Sequence, residues 1–173
     1  MLRHPKGRTV LKMFVITNIV YVFMLIVTIP AIMKFTGGLE IFDMMPGGYS
    51  YTYAAELLEK LGNEGREYYL YRQIPADMIY PGLFAICYSM MIAYFLMKTG
   101  KLNTKLKYLS YLPIAAGLFD YLENICIIIM LKSFPDLSQG TVTAGNIFLF
   151  SFSVSTTISF TVIIVLLILT IVL

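Results

Sequence analysis

The sequence has little of the residues that most metal and redox sites require. It contains one histidine, His4, two cysteines, Cys87 and Cys126, and no tryptophan. A haem held by two histidines and a histidine-rich zinc site are therefore excluded. The cysteines form no C-x-x-C motif, which argues against a thiol oxidoreductase. We predict two buried structural thiols, because free cysteine is among the most buried residue types, and we predict no metal and no cofactor.

Charged residues are also scarce. They make up 13% of the chain, against 58% hydrophobic residues, and the mean hydropathy is +0.78. A membrane span needs about 20 apolar residues, and four runs are long enough: Met13 to Met33, Ala76 to Met97, Tyr108 to Leu131 and Thr141 to Leu173. The sequence therefore predicts an all-α, polytopic integral membrane protein, a single domain built as a bundle of four transmembrane helices.

The N-terminal residues 1–8 resemble the basic region that begins a signal peptide. The apolar run that follows them is too long for the core of such a peptide, and no pattern of small residues for cleavage ends it. We therefore expect this run to be retained as the first helix.

Basic residues are concentrated beside the ends of the apolar runs. One group precedes the first run and another separates the second run from the third: Arg3, Lys6, Arg8 and Lys12, then Lys98, Lys101, Lys105 and Lys107. The positive-inside rule then predicts a protein of the cell membrane with both termini in the cytoplasm. The net charge of +3 is not a nucleic-acid signal, so membrane lipids and no nucleic acid are the predicted partners.

The long first loop, residues 35–75, is predicted to be external and partly helical. Ser50 or Thr52 can cap a helix that Gly62 ends. The apolar stripe of this helix is Leu57, Leu58 and Leu61. A second short helix is predicted from Asn63 to Gln73, rich in the tyrosines that favour the membrane surface. We expect the loop to form a short helical extracytoplasmic cap over the bundle.

Three acids in the apolar runs are the strongest functional signal. Asp77 lies in the run Ala76 to Met97, and Asp120 and Glu123 lie in the run Tyr108 to Leu131. Neither run contains a lysine or arginine to neutralise them. A charged residue at membrane depth costs roughly 3 kcal/mol on insertion scales, and such residues usually face the bundle interior and mark a site.

Helical spacing gathers most of the polar residues of the third run on one face. That face carries Pro113, Ala116, Gly117, Asp120, Glu123, Asn124 and Ile127. Because two like charges in a low dielectric do not both stay ionised cheaply, three alternatives stay open for Asp120 and Glu123. One of them is protonated, or the pair binds a cation, or both hydrogen-bond to neighbours such as Asn124.

Asp77 is predicted to lie nearer the outer end of the bundle than the other two acids. Glu123 and Asn124 lie about 13 Å below the outer end of the third run, whereas Asp77 begins the second run. We therefore expect a vertical file of acids. Asp77 also has a structural alternative, since an acid in the first turn of a helix favours the helix dipole.

The remaining predicted ligand-binding residues come from all four runs. They are Asn18, Tyr80, Tyr88, Tyr121, Ser153 and Thr157. The polar groups concentrate in the outer half of the bundle, which predicts an outward-opening pocket. The other interpretation is a hydrogen-bond network that only holds helices together.

The sequence contains no P-loop, H-E-x-x-H, G-x-S-x-G or Rossmann glycine pattern. Our leading hypothesis is a protein that binds or acts on a small amphipathic or lipid-like ligand. Asp120 and Glu123 would be its acid and base if it is an enzyme. Two alternatives remain: a subunit of an oligomeric cation or proton pathway, and an accessory subunit whose acids pair with a partner subunit.

Overall fold

The computed structural model describes residues 5–172, and these form helices joined by short connections. The α-helices in this part of the chain are α1 (Gly7–Phe23), α2 (Ile29–Met33), α3 (Tyr51–Tyr68), α4 (Ile74–Lys98), α5 (Leu112–Ser133) and α6 (Gln139–Val172). π-helical turns at Met24–Thr28 and Tyr69–Gln73 make α1–α2 and α3–α4 continuous. Single 3₁₀ segments lie at Phe42–Met44 and Lys105–Tyr111. Arg3, His4 and Leu173, which the sequence analysis used, lie outside the described residues.

Four helical segments are long and apolar enough to cross a membrane, as the sequence predicts. They are Gly7–Met33, Tyr51–Lys98, Lys105–Ser133 and Gln139–Val172. The second of them has 48 residues, far more than the predicted span. We call the end of the bundle that carries residues 34–50 the loop end, and the end that carries Lys98–Lys107 the basic end.

Helices α1 and α4 pack antiparallel through aromatic side chains. The rings of Phe14 and Tyr88 meet edge to face with 6.4 Å between centroids. Nearer the loop end, Tyr21 stacks on Tyr80 at 5.4 Å. Because the residue number rises along α1 while it falls along α4, these two contacts fix the register of the pair.

Helices α4 and α5 approach each other at a glycine. A Cβ at Gly117 would lie 2.7 Å from the carbonyl oxygen of Pro81 and 3.2 Å from the Cβ of Ala85. Small residues allow such close backbone approach between apolar helices, where van der Waals packing drives association. The face of α5 that contacts α4 is the face that helical spacing predicts, and Ala116, Gly117 and Asn124 on it are all buried.

Helix α6 packs against both α4 and α5. The ring of Phe84 in α4 meets Phe152 and Phe160 of α6, with centroids 6.3 and 6.1 Å apart. Helices α1 and α6 nevertheless leave many large apolar side chains exposed, Ile19 at 63% and Ile171 at 75% among them. Exposed apolar surface of this extent is typical of a protein surrounded by lipid.

The helix of the first loop consists of two stretches that meet at a kink at Gly62, as the sequence predicts. Ser50 caps that helix, since its Oγ accepts a hydrogen bond of 3.0 Å from the Tyr53 N–H, and Gly62 breaks it with a φ of 60°. Its predicted stripe, Leu57, Leu58 and Leu61, is buried. The predicted second stretch, Asn63 to Gln73, begins after the kink but does not end at Gln73, because the helix continues through the π-helical turn into α4.

Candidate functional site

A cavity of about 570 Å³ lies between the long helices toward the loop end of the bundle. Its lining residues come from α1, α2, α4, α5 and α6 and from the turn Phe42–Met44. Carboxyl groups and aromatic rings share the lining, a combination typical of sites for small ligands. None of the lining residues is a lysine, arginine or histidine.

Four carboxyl groups line this cavity: Asp43, Asp77, Asp120 and Glu123. The three that the sequence analysis singled out are almost fully buried, with exposed fractions of 5% for Asp77, 6% for Asp120 and 3% for Glu123. The structure therefore brings the intramembrane acids of two different helices to one cavity, and it adds a fourth acid from the first loop.

Asp77 lies beside Asn124, which corrects the predicted vertical file of acids. Asn124 donates a hydrogen bond of 3.3 Å from Nδ2 to the main-chain oxygen of Asp77. The prediction was wrong because it began the second span at Ala76, whereas the helix already runs alongside α5 before that residue. Leu70, in the π-helical turn before α4, and Leu131, in α5, line the same surface groove, so the two helices are already side by side at residue 70.

The side chain of Asn124 satisfies a backbone group and does not line the cavity. Proline has no N–H, so Pro81 leaves the carbonyl of Asp77, four residues earlier, without its usual helical partner. Asn124 supplies the missing donor. We predicted Asn124 as a ligand-binding residue, and the structure instead gives it a role in holding α4 against α5.

Asp43 is the site residue that the sequence analysis missed. Tyr69, which is fully buried, donates a hydrogen bond to Oδ2 of Asp43. Asp43 and Asp77 line the same cavity. The available signal was the apolar sequence around this acid, Ile41, Phe42, Met44 and Met45, which is unusual for a solvated loop.

Asn146 of α6 fixes the loop that carries Asp43. Its Oδ1 accepts a hydrogen bond of 2.7 Å from the Tyr49 N–H, and its Nδ2 donates one of 2.8 Å to the Tyr49 carbonyl. The Tyr49 ring in turn packs on buried Phe42 with 4.6 Å between centroids. Gly48 has a φ of 84°, and a Cβ there would lie 2.7 Å from Oδ1 of Asn146. The absence of a side chain at Gly48 thus allows the loop to enter the bundle.

No cation within the described residues reaches the acids. Arg66 donates to the carbonyl of Leu58 at 2.7 Å and to Oδ1 of Asn63 at 2.5 Å, and its guanidinium lies over the Phe134 ring. Arg72 is exposed. Oε1 of Glu123 is buried and has no hydrogen-bond partner. The carboxyl groups therefore enter the cavity without the ion pairs that usually accompany buried acids.

Aromatic rings form much of the rest of the wall. They are Phe14, Tyr21, Tyr80, Tyr88, Phe152 and Phe160. Of the residues predicted to bind a ligand, Tyr80, Tyr88 and Asn18 lie in this lining. Asn18 uses its Nδ2 to bond the Phe14 carbonyl at 2.7 Å, which leaves its Oδ1 as a further polar group at the wall.

Three predicted ligand-binding residues lie away from the cavity. The hydroxyl of Tyr121 faces Gly82 in a separate groove between α4 and α5. Thr157 is exposed and donates 2.8 Å to the carbonyl of Ser153 in its own helix. The neighbouring Thr156 lines the cavity instead, and its buried Oγ1 has no hydrogen-bond partner.

Tyr49 places a phenol near the acids. Burial raises the pKa of Tyr49, and the nearby carboxyl groups of Glu123 and Asp43 raise it further. Its hydroxyl is therefore neutral at physiological pH and is a hydrogen-bond donor. Like Oε1 of Glu123, this hydroxyl is buried without a partner.

The surroundings of the cavity show no metal centre. No group of three histidine, cysteine, aspartate or glutamate side chains within residues 5–172 is arranged to hold a metal ion. Cys87 and Cys126 are free and buried, as the sequence predicts. The packing toward the basic end is apolar and includes Ile92, Leu96 and Ile163.

No family model, curated protein or solved structure matches this chain.

Proposed function

We propose that this chain is a multi-pass membrane protein that binds a small amphipathic ligand in the cavity between its four long helices. The observation that carries the proposal is a cavity of about 570 Å³ whose walls combine aromatic rings with buried acids that have no basic partner. A purely structural polar network would pair its groups, because an unpaired buried carboxyl group costs stability. Glu123 instead lines the cavity and keeps a buried oxygen without a hydrogen-bond partner.

The apolar packing toward the basic end favours a binding site over an ion pathway. A pathway needs polar groups along its whole length, whereas the cluster between the cavity and the basic end consists of residues such as Phe84, Ile92 and Leu166. The acids can hold a polar head group while the aromatic wall holds an apolar body. Proton transfer is the chemistry that these carboxyl groups would offer to a ligand that is converted.

Two neighbouring threonines of α6 provide a test of the cavity. Thr156→Trp places a large ring in the cavity, whereas Thr157→Trp places the same ring on the exposed face of the same helix. We expect native mass spectrometry of the purified protein to show a small molecule that co-purifies with the wild type and with Thr157→Trp. We expect Thr156→Trp to lose that molecule. Equal retention by the two variants would contradict the proposed site.

The proposed orientation has both termini and the Lys98–Lys107 connection in the cytoplasm. It is supported by the clustering of basic residues at the basic end. We expect a membrane-impermeant thiol reagent added to intact cells to label Glu59→Cys and not Lys101→Cys, in a background without Cys87 and Cys126. After the cells are opened, both positions should react, which controls for exposure. Labelling of Lys101→Cys in intact cells would reverse the orientation.

A further inference from the structure

We propose that the ligand of this cavity is a lipophilic cation, an amine or quaternary ammonium group joined to an apolar body. This inference rests on the proposed function and names the class of ligand. It depends on three features of the described residues: the sign of the charges around the cavity, an unpartnered carboxylate oxygen, and the aromatic wall.

The side chains around the cavity that can carry a charge near neutral pH are all carboxylic acids. Asp43, Asp77, Asp120 and Glu123 line it, and no basic side chain does. Opposite charges attract several times more strongly near a partly buried site than in bulk water. A cationic group in the cavity would lie among several carboxyl groups at once, whereas a phosphate or carboxylate head group would find no cation and would be repelled.

The second feature is independent of the number of acids. Glu123 lines the cavity with only 3% of its surface exposed, and its Oε1 is buried without a hydrogen-bond partner. A buried carboxyl oxygen without a partner is unfavourable. A protonated amine in the cavity would bring a hydrogen-bond donor and a positive charge to this carboxyl group, and a quaternary ammonium group would bring the charge alone.

The wall itself suits a cation more than a neutral head group. Tyr21 and Tyr80 stack on each other, and Tyr88 packs at the edge of Phe160 with 5.1 Å between centroids. Aromatic faces attract ammonium groups, and they do so most strongly where water is excluded. A bare metal ion fits less well, because the described acids form no group of three that could coordinate one.

The test compares three ligands that share a ten-carbon chain and differ in charge. Decyltrimethylammonium, 1-decanol and decanoate are titrated, below micelle formation, into the full-length protein in phosphatidylcholine nanodiscs, with empty nanodiscs subtracted. We expect saturable binding of decyltrimethylammonium that is at least roughly tenfold tighter than that of decanol, as charge attraction to the acids and contact with the aromatic wall would give. Decanoate should not bind measurably.

Conservative variants test whether the acids cause the preference for decyltrimethylammonium over decanol. Glu123→Gln and Asp120→Asn should each weaken decyltrimethylammonium at least roughly tenfold and leave decanol unchanged. Glu59→Gln, at an exposed acid of the first loop, should bind like the wild type. Circular dichroism and gel filtration establish that each variant is folded. If a variant does not fold, the relative affinities of the wild type for the three ligands decide the question.

The possible results separate this inference from the proposed function. If decanol and decyltrimethylammonium bind saturably and equally well, and Thr156→Trp abolishes the binding of both, the proposal of a cationic ligand is wrong. The cavity would still be a ligand site. Preference for decanoate, or no saturable binding of decyltrimethylammonium, would also overturn the cation. The proposed function fails separately, if Thr156→Trp retains the co-purifying molecule.

Discussion

Gly117→Leu is expected to prevent α4 and α5 from packing and to leave no stably folded protein. Even the first added carbon would lie 2.7 Å from the carbonyl oxygen of Pro81, and this obstacle is backbone, which a rotamer change does not move. Overpacking of this kind costs typically about 1–3 kcal/mol for small additions. We therefore expect Gly117→Ala to lower the free energy of unfolding by about that amount, measured by denaturation in mixed micelles.

Two other helical glycines control for the substitution itself. A Cβ at Gly140 would have an ordinary contact of 3.6 Å with Ser138 Oγ, and one at Gly82 would meet the end of the Tyr121 side chain at 2.8 Å. Gly140→Ala should be neutral or slightly stabilising, since alanine favours helix. Gly82→Ala should fall between the two, because a tyrosine side chain can move. Equal stability of all three variants would contradict the close approach at Gly117.

The glycine contact also shows which parts of the fold the sequence could predict. The buried face of α5 followed from helical spacing alone, because its small and polar residues recur every three or four positions. The register of α4 against α5 did not follow, since hydropathy marks where a run becomes apolar and not where its helix begins. The helix starts before Ala76 and brings Asp77 level with Asn124, so the acids gather instead of forming a file.

The face of α6 that lines the cavity could not be predicted for a different reason. This helix is apolar on every side, and its serines and threonines bond their own backbone, as Thr157 does to Ser153. Such a sequence carries no periodic signal that distinguishes Thr156 from Thr157. The structure fixes the phase through the contacts of Phe152 and Phe160 with α4.

The place of Asp43 in the cavity was missed because it depends on residues that are distant in the sequence. Three groups hold its turn: the hydroxyl of Tyr69, the Tyr49 ring on Phe42, and the side chain of Asn146. Asn146 is 103 positions away along the chain, and no local pattern links it to the loop. A cavity has the same property, since it is a space that side chains from several helices leave unfilled.

Glu123→Leu is expected to leave the protein at least as stable as the wild type and to abolish ligand binding. Oε1 of Glu123 has no hydrogen-bond partner in the fold, so leucine removes a desolvated polar group and breaks no bond through that atom. Replacing buried charges by apolar groups of similar volume is often neutral or stabilising by about 1–4 kcal/mol. The co-purifying ligand, measured by native mass spectrometry, should be lost, and decyltrimethylammonium should bind at least roughly tenfold more weakly.

The neighbouring Asn124→Leu should behave in the opposite way and is the matched control. Its amide donates to the Asp77 carbonyl that Pro81 leaves without a helical donor, so leucine strands a buried backbone acceptor. Such a loss costs about 1–3 kcal/mol, and we expect the free energy of unfolding to fall by that amount while the folded fraction still binds ligand. The opposite outcome is that Glu123→Leu is the less stable of the two variants and still binds its ligand. Glu123 would then stabilise the fold and not bind the ligand, which would contradict the role proposed for it in the cavity.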